Sequence, residues 1–285
     1  MRLRKQLIAS TRPLVMAVMN VTPDSFYTES RVDSQSEASV VDRAAELIKQ
    51  GADILDIGGE STRPGASPVG IQEEMDRVLP AVAAIRERFD TTVSVDTSSP
   101  ELMHELNTHD IDLINDVRAL SKPGAIQAAA ECDVPVCLMH MQEAPDTMQN
   151  RPRYKNVVKD IISFLERRKA TCMEAGIAPE NILIDPGFGF GKTDMHNLEI
   201  LNQLSEFSSI GTVLVGLSRK SMIGRLLGRK ANERLPASLA LAAAAFERGA
   251  RVIRVHDVKQ TRDVLDMLWI LHEQASTGAV PEFPI

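Results

Sequence analysis

Asp185 opens the stretch DPGFGFGK, a carboxylate followed by three glycines whose backbone can approach a flat or anionic ligand closely. The stretch is one residue away from a P-loop, but Pro186 stands where GxxxxGK[ST] requires its first glycine, which excludes the nucleotide-triphosphatase reading. An ionised Asp185 could accept two N–H bonds from a planar 2-amino heterocycle, each worth about 1.5–3 kcal/mol; capping a turn is its plainer alternative. SRKS (218–221) and RVHD (254–257) would bring Arg219, Lys220, Arg254 and His256 into one basic pocket, as a phosphorylated substrate requires. The competing reading is two exposed cations and a core histidine. Asp96 and Asn115 offer donors and acceptors for a heteroaromatic edge, or else cap turns. Asn20 carries a neutral oxygen that suits Mg2+, an ion that keeps water and takes its charge from phosphates. Arg63 lies in the polar loop STRPGAS, and Phe26 and Phe190 lie in loops too, as candidates for stacking on a ring.

The elements that must position these residues recur along the chain. Short apolar runs end at Asn20, Asp56, Asp96, Asn115, His140, Asp185, Ser218 and His256, with helical periodicity between them. Eight strand–helix repeats without a hairpin signal predict a single-domain α/β fold, a (β/α)8 TIM barrel with its active site at the C-terminal ends of the strands. The barrel core is expected over about 12–275, with a loose tail at about 276–285. Helices are expected over 37–50, 155–175 and 232–249, the first stopping at Gly51. Ser99-Pro100 reads as an N-cap with Pro at the first helical position, Ser218 sits near another N-cap, and Asp257 caps a final helix. Pro80 sits inside a helical pattern and should start or kink a helix there. Segments 20–36 and 58–72 are too long and too rich in Gly, Pro and Ser for tight turns, and read as binding loops or lids. His104, His109, His196 and His272 lack ligand spacing and read as surface residues.

The formal net charge of −7 argues against nucleic acid or an anionic membrane as partner, so an anionic substrate needs a local basic cluster. Cys132, Cys137 and Cys172 are odd in number and form no CxxC, which points to free thiols rather than a disulfide framework or zinc site. The basic opening MRLRKQLIAS imitates the start of a signal peptide, but no apolar stretch with a cleavage site follows. No run reaches the roughly 18 apolar residues that span a membrane. The expected location is cytoplasmic.

NVTPDSF, DIGGESTRPGAS, SVDT, NDV, MHMQ, DPGFGFGK, GLSRKSMIG and RVHDV, in this order on successive strands, closely resemble dihydropteroate synthase over about residues 12–275. The resemblance implies a homodimeric (β/α)8 enzyme of folate biosynthesis and a target of sulfonamides. Such an enzyme joins 6-hydroxymethyl-7,8-dihydropterin diphosphate to 4-aminobenzoate with Mg2+ and releases diphosphate. Carried over by residue, it implies that Asp96, Asn115, Asp185 and Lys220 hold the pterin. Asn20 would bind Mg2+, and Arg63, Arg254 and His256 the diphosphate. Phe26, Thr62, Arg63, Pro64, Phe190 and Ser221 would shape the aminobenzoate site. Asp96, Asp185, Lys220, Arg254 and His256 are the expected catalytic set. Two departures stand out: Tyr27-Thr28-Glu29-Ser30-Arg31 replaces the family's usual Gly-Gly, and Glu143 stands where a glycine is usual.

Three alternatives compete. A methyltetrahydrofolate-dependent corrinoid methyltransferase would share the Asp96, Asn115 and Asp185 wall but has no use for SRK and RVH. A non-catalytic pterin-binding paralogue would not need Lys220, Arg254 and His256 intact. An aldolase would need its lysine on the strand itself, whereas Lys220 follows Ser218 in the loop.

Overall fold

The computed structural model of the chain describes residues 2–21, 37–60, 69–142 and 152–278. Eight strands close into a barrel in chain order, β1-β2-β3-β4-β5-β6-β7-β8, every neighbouring pair parallel. They are β1 (Leu14–Asn20), β2 (Ile54–Gly58), β3 (Thr92–Asp96), β4 (Leu113–Asp116), β5 (Val136–Met139), β6 (Ile182–Asp185), β7 (Thr212–Val215) and β8 (Ala250–Val255). The helices are α1 (Arg2–Ala9), α2 (Glu37–Lys49), α3 (Ile71–Arg88), α4 (Pro100–Leu106), α5 (Ala125–Glu131), α6 (Val157–Glu174), α7 (Asp194–Asn202), α8 (Ser221–Leu227), α9 (Leu235–Phe246) and α10 (Val258–Thr277). The expected (β/α)8 architecture is the observed one.

The strands read as nearly continuous apolar runs because a parallel sheet wrapped in helices is buried on both faces. Alternation along each strand divides the side chains into two cores. Outward residues such as Val15, Ala17, Leu55, Ile57, Val93 and Val95 pack with Leu47, Val82, Ile85, Ile161 and Leu265 from the helices. Inward residues Leu14, Met16, Ile54, Leu113, Cys137, Leu183, Leu214 and Val252 form a second cluster near the strand starts. Continuing the same alternation upward places Asn20, Asp56, Gly58, Ser94, Asp96, Asn115, Asp185 and Arg254 inside the upper barrel. The apolar layer is thus the floor on which a polar site stands.

That floor is plugged by α1, formed by the basic opening segment that imitates the start of a signal peptide. Leu3 is fully buried in the inner cluster and Leu7, four residues on, packs against it. The basic residues of the same helix tether it from outside: Arg2 pairs with Asp90 at 2.6 Å and Arg4 with Glu180 at 2.8 Å.

Several local expectations change. α3 already runs from Ile71, so Pro80 lies inside a helix rather than starting one. α8 begins at Ser221 with Lys220 as its N-cap, not at Ser218. Asp257 does precede α10, but its carboxylate binds Arg219 and not the helix's own N–H groups. The strands also end less uniformly than expected. Asp56 lies two residues inside β2, His140 and His256 directly follow β5 and β8, and Ser218 lies beyond β7. The three cysteines are free thiols.

Candidate active site

Strand register sets the heights of the functional side chains. Asn20 is paired with Gly58, Gly58 with Asp96, and Asp96 with Asn115, so four neighbouring strands present these positions at one level. The glycine between Asn20 and Asp96 matters. A Cβ on Gly58 would stand 3.4 Å from Asn20 Oδ1 and 3.6 Å from Asp96 Cβ, so its absence opens the space between the two side chains. One step lower, Asp56 is paired with Ser94. Across the barrel, Asp185 ends β6 opposite Met139 of β5.

Asp56 is fully buried and gathers three donors. Ser94 Oγ donates to its Oδ1 at 2.6 Å, while Oδ2 accepts from Asn115 Nδ2 at 3.3 Å and from Arg254 Nε at 2.6 Å. Arg254 then reaches Asp96, donating from Nη2 to Oδ2 at 2.8 Å. One guanidinium therefore bridges two buried carboxylates. Burial alone would weaken the charge on Arg254, but attraction to Asp56 and Asp96 overcomes it and raises its pKa. Burial pushes the Asp96 carboxyl up against the pull of Arg254, with Asp56, Asp116 and Glu74 adding like-charge repulsion. A guanidinium has five N–H bonds, so these two contacts leave it capacity for a phosphoryl oxygen.

The loop after β6 is organised around Asp185, whose Oδ1 accepts from Gly187 N at 2.7 Å. Burial pushes this carboxyl up too, opposed by that bond and by Lys220, Lys192 and Arg254. Lys220 Nζ lies 4.4 Å from the centroid of the Phe190 ring, a cation–π contact that joins the β6 and β7 loops. Behind them Lys192 is buried against His140. On β8, the His256 backbone N–H donates to Ser218 Oγ at 3.2 Å, and its Nδ1 lies 3.1 Å from the same oxygen. With that oxygen already accepting, the hydroxyl proton can go to Nδ1, an arrangement that leaves the ring's own proton on Nε2.

The structure brings together Asp96, Asn115, Asp185, Lys220, Phe190, Arg254 and His256 at the C-terminal rim, with Asn20 beside Asp96. It does not bring Arg219 into the basic pocket. That residue takes a left-handed backbone (φ 55°), and its guanidinium is held by Asp257, with Nε donating to Oδ2 at 2.8 Å and a second contact from Nη2. Ser221 opens α8, exposed, and accepts from Arg225 at 3.0 Å. Phe26, Thr62, Arg63 and Pro64 lie outside the described residues, as do Tyr27 to Arg31 and Glu143. Asp56 and Ser94 received no role from sequence, although each stands two residues before a position at the rim, on the same face of its strand. That spacing was the available signal.

Residues 16–256 match the pterin binding enzyme family. The dihydropteroate synthase of Escherichia coli K12 is 50% identical over 256 residues, covering 90% of each chain. The chain belongs to the dihydropteroate synthase family. Solved structures of the family agree. A Yersinia pestis dihydropteroate synthase in complex with a sulfonamide drug superposes with a TM-score of 0.88 at 44% identity, covering 94% of this chain and 96% of that one. A Burkholderia cenocepacia dihydropteroate synthase complexed with 7,8-dihydropteroate gives 0.83 at 40% identity, covering 94% of both.

Proposed function

We propose that the chain is a dihydropteroate synthase, a transferase that joins 6-hydroxymethyl-7,8-dihydropterin diphosphate to 4-aminobenzoate and releases diphosphate. The observation that supports it most is one wall of hydrogen-bonding groups, Asp96, Asn115 and Asp185, facing the same rim as Lys220, Arg254 and His256. The three acidic and amide groups match the donor-rich edge of a pterin. The cations match a diphosphate. Neither a corrinoid methyltransferase nor a passive pterin binder has use for both.

In this reading Asp185, beside Lys220, holds the amino edge of the pterin, and Asp96 and Asn115 hold the rest of the ring. Breaking the carbon–oxygen bond at the pterin methylene leaves a cation delocalised into the ring and an anionic leaving group. Asp56, Asp96 and Asp185 line the ring side of the site, so carboxylate oxygens face the place where the cation develops. Arg254, held between Asp56 and Asp96, and His256 stabilise the departing diphosphate, with Arg63 assigned the same task. The aminobenzoate ring lies against Phe190, with Phe26, Thr62, Pro64 and Ser221 completing its site. Its aromatic amine is neutral at pH 7 and needs little base.

The donor set suits a hydrated magnesium ion. Asn20 supplies one neutral oxygen next to the space left by Gly58, and no three His, Cys, Asp or Glu side chains converge on a metal site among the described residues. Such an ion would take its remaining ligands from phosphate oxygens and water, and would supply charge neutralisation for the leaving group. The reading includes one catalytic domain, a homodimer and a cytoplasmic setting. Three free thiols fit a reducing compartment. No described helix is long and apolar enough to cross a membrane.

Calorimetry with free 6-hydroxymethylpterin tests the site assignment. Asp185→Asn keeps one acceptor oxygen and turns the other into a donor, so binding should weaken by about 2 kcal/mol, roughly 30-fold. Unchanged affinity removes Asp185 from the pterin site.

A further inference from the structure

Lys192 is a cation that the proposed chemistry does not use, and it is almost wholly buried, with 1% of its surface exposed. Its Nζ makes three contacts: His140 Nδ1 at 3.0 Å, the His140 carbonyl at 3.2 Å and the Phe190 carbonyl at 2.9 Å. An ammonium has three N–H bonds, so these contacts match its donors one for one. Burying it is costly: its pKa falls to about 7, mainly through desolvation. An apolar side chain could fill the same volume without that cost. What it could not do is tie the β6 loop to the end of β5 through two acceptors of His140 while holding the Phe190 carbonyl.

The next carbonyl is held in the same way. Tyr154 Oη donates to the Gly191 carbonyl at 2.8 Å. The amide groups of the loop are held too, Gly187 N on Asp185 and Gly189 N on Asn197 Oδ1 at 2.8 Å. The loop is pressed hard against β5: a Cβ on Gly187 would stand 1.9 Å from the His140 carbonyl oxygen, and one on Gly191 2.7 Å from Gln142. Both glycines have positive φ, 73° and 64°, a conformation that glycine alone adopts without cost and that leaves the unclamped chain loose. Phe190 is the residue displayed between these glycines, with its ring against Lys220.

We propose that Lys192 and Tyr154 are positioning residues that hold Phe190 in place for the aromatic ring of 4-aminobenzoate, acting through the carbonyls of residues 190 and 191 without touching substrate. The proposal rests on the assignment of Phe190 to the aminobenzoate site. Asp185 and Lys220 also sense the Lys192 charge, so the decisive readout must separate the aminobenzoate site from the pterin site.

The test is steady-state kinetics of the magnesium-loaded enzyme with 4-aminobenzoate varied at saturating pterin diphosphate. Phe190→Ala should raise KM for 4-aminobenzoate about tenfold. Lys192→Met should raise it about fivefold, leave the Kd of free 6-hydroxymethylpterin within about twofold, and add almost nothing when combined with Phe190→Ala, because coupled residues are non-additive. A rise of equal size in the Phe190→Ala background, or an equal loss of pterin affinity, overturns the proposal. If Phe190→Ala leaves KM unchanged, the assignment of Phe190 itself fails and the proposal falls with it. Should Lys192→Met fail to fold, Tyr154→Phe, which removes one hydroxyl, decides instead. A rise of about threefold that vanishes in the Phe190→Ala background supports the clamp, and no rise overturns it.

Discussion

Replacing Arg254 with methionine isolates the electrostatics of the site. The substitution keeps an unbranched apolar stem and removes the guanidinium that binds Asp56 at 2.6 Å and Asp96 at 2.8 Å. Those carboxylates are 0% and 7% exposed, so the partner they lose is a buried one. Removing one member of a buried ion pair costs about 3–5 kcal/mol. Here two carboxylates lose their counter-charge, but one escape exists. Burial already pushes the Asp96 carboxyl up, and without Arg254 it rises further, until Asp96 holds a proton at neutral pH. The sign follows from linkage. A carboxyl whose folded pKa lies above its unfolded value destabilises the fold increasingly as pH rises. The cost of Arg254→Met should therefore be about 4 kcal/mol near pH 8 and smaller by at least about 1 kcal/mol near pH 5.5. Urea unfolding of the wild type and the variant at both pH values measures it. A penalty below about 1 kcal/mol, or one independent of pH, would refute the claim that Arg254 neutralises two buried carboxylates.

Two further outcomes follow from geometry and burial. Gly58→Ala places a methyl group at ordinary contact distance, 3.4 Å from Asn20 Oδ1 and 3.6 Å from Asp96 Cβ. Stability should change by less than about 1 kcal/mol while the magnesium concentration for half activity rises about tenfold; an unchanged metal requirement would detach Asn20 from the metal. Burial, helped by Lys192, depresses the His140 imidazole to about 3, so below pH 6.5 the unfolded chain binds a proton that the folded one refuses. This imidazole alone should withdraw about 3 kcal/mol between about pH 7 and pH 4.5, against the opposite gain from buried carboxyls such as Asp96. His140→Asn, which keeps an acceptor for Lys192, should therefore change the pH slope of stability by that amount in urea titrations. An unaltered slope would show that the imidazole is not the group responsible.

The barrel was legible because each strand is a compact apolar run followed by a helix, and both signals are local. The rim residues were legible for the same reason: Asn20, Asp96 and Asp185 are the last residues of their strands. What could not be read was reach. Arg254 finds Asp56 198 positions away, and no period in the chain says which carboxylate a five-bond side chain will meet. Asp56 stands out in the sequence as a polar residue closing an apolar run, and nothing in DIGG shows that β2 continues to Gly58. Arg219 and Lys220 look alike in sequence. A positive φ at Arg219 turns one toward Asp257, while its neighbour meets Phe190. α1 was missed because its short apolar stripe, Leu3 and Leu7, has meaning only against the open floor of a barrel.

Turnover tests the central claim most directly. Purified protein with 6-hydroxymethyl-7,8-dihydropterin diphosphate, 4-aminobenzoate and Mg2+ should release diphosphate and form 7,8-dihydropteroate in equal amounts, with both lost when the metal is chelated. Pterin binding without product, or diphosphate release uncoupled from aminobenzoate, would contradict the account and leave this barrel a pterin binder or a hydrolase.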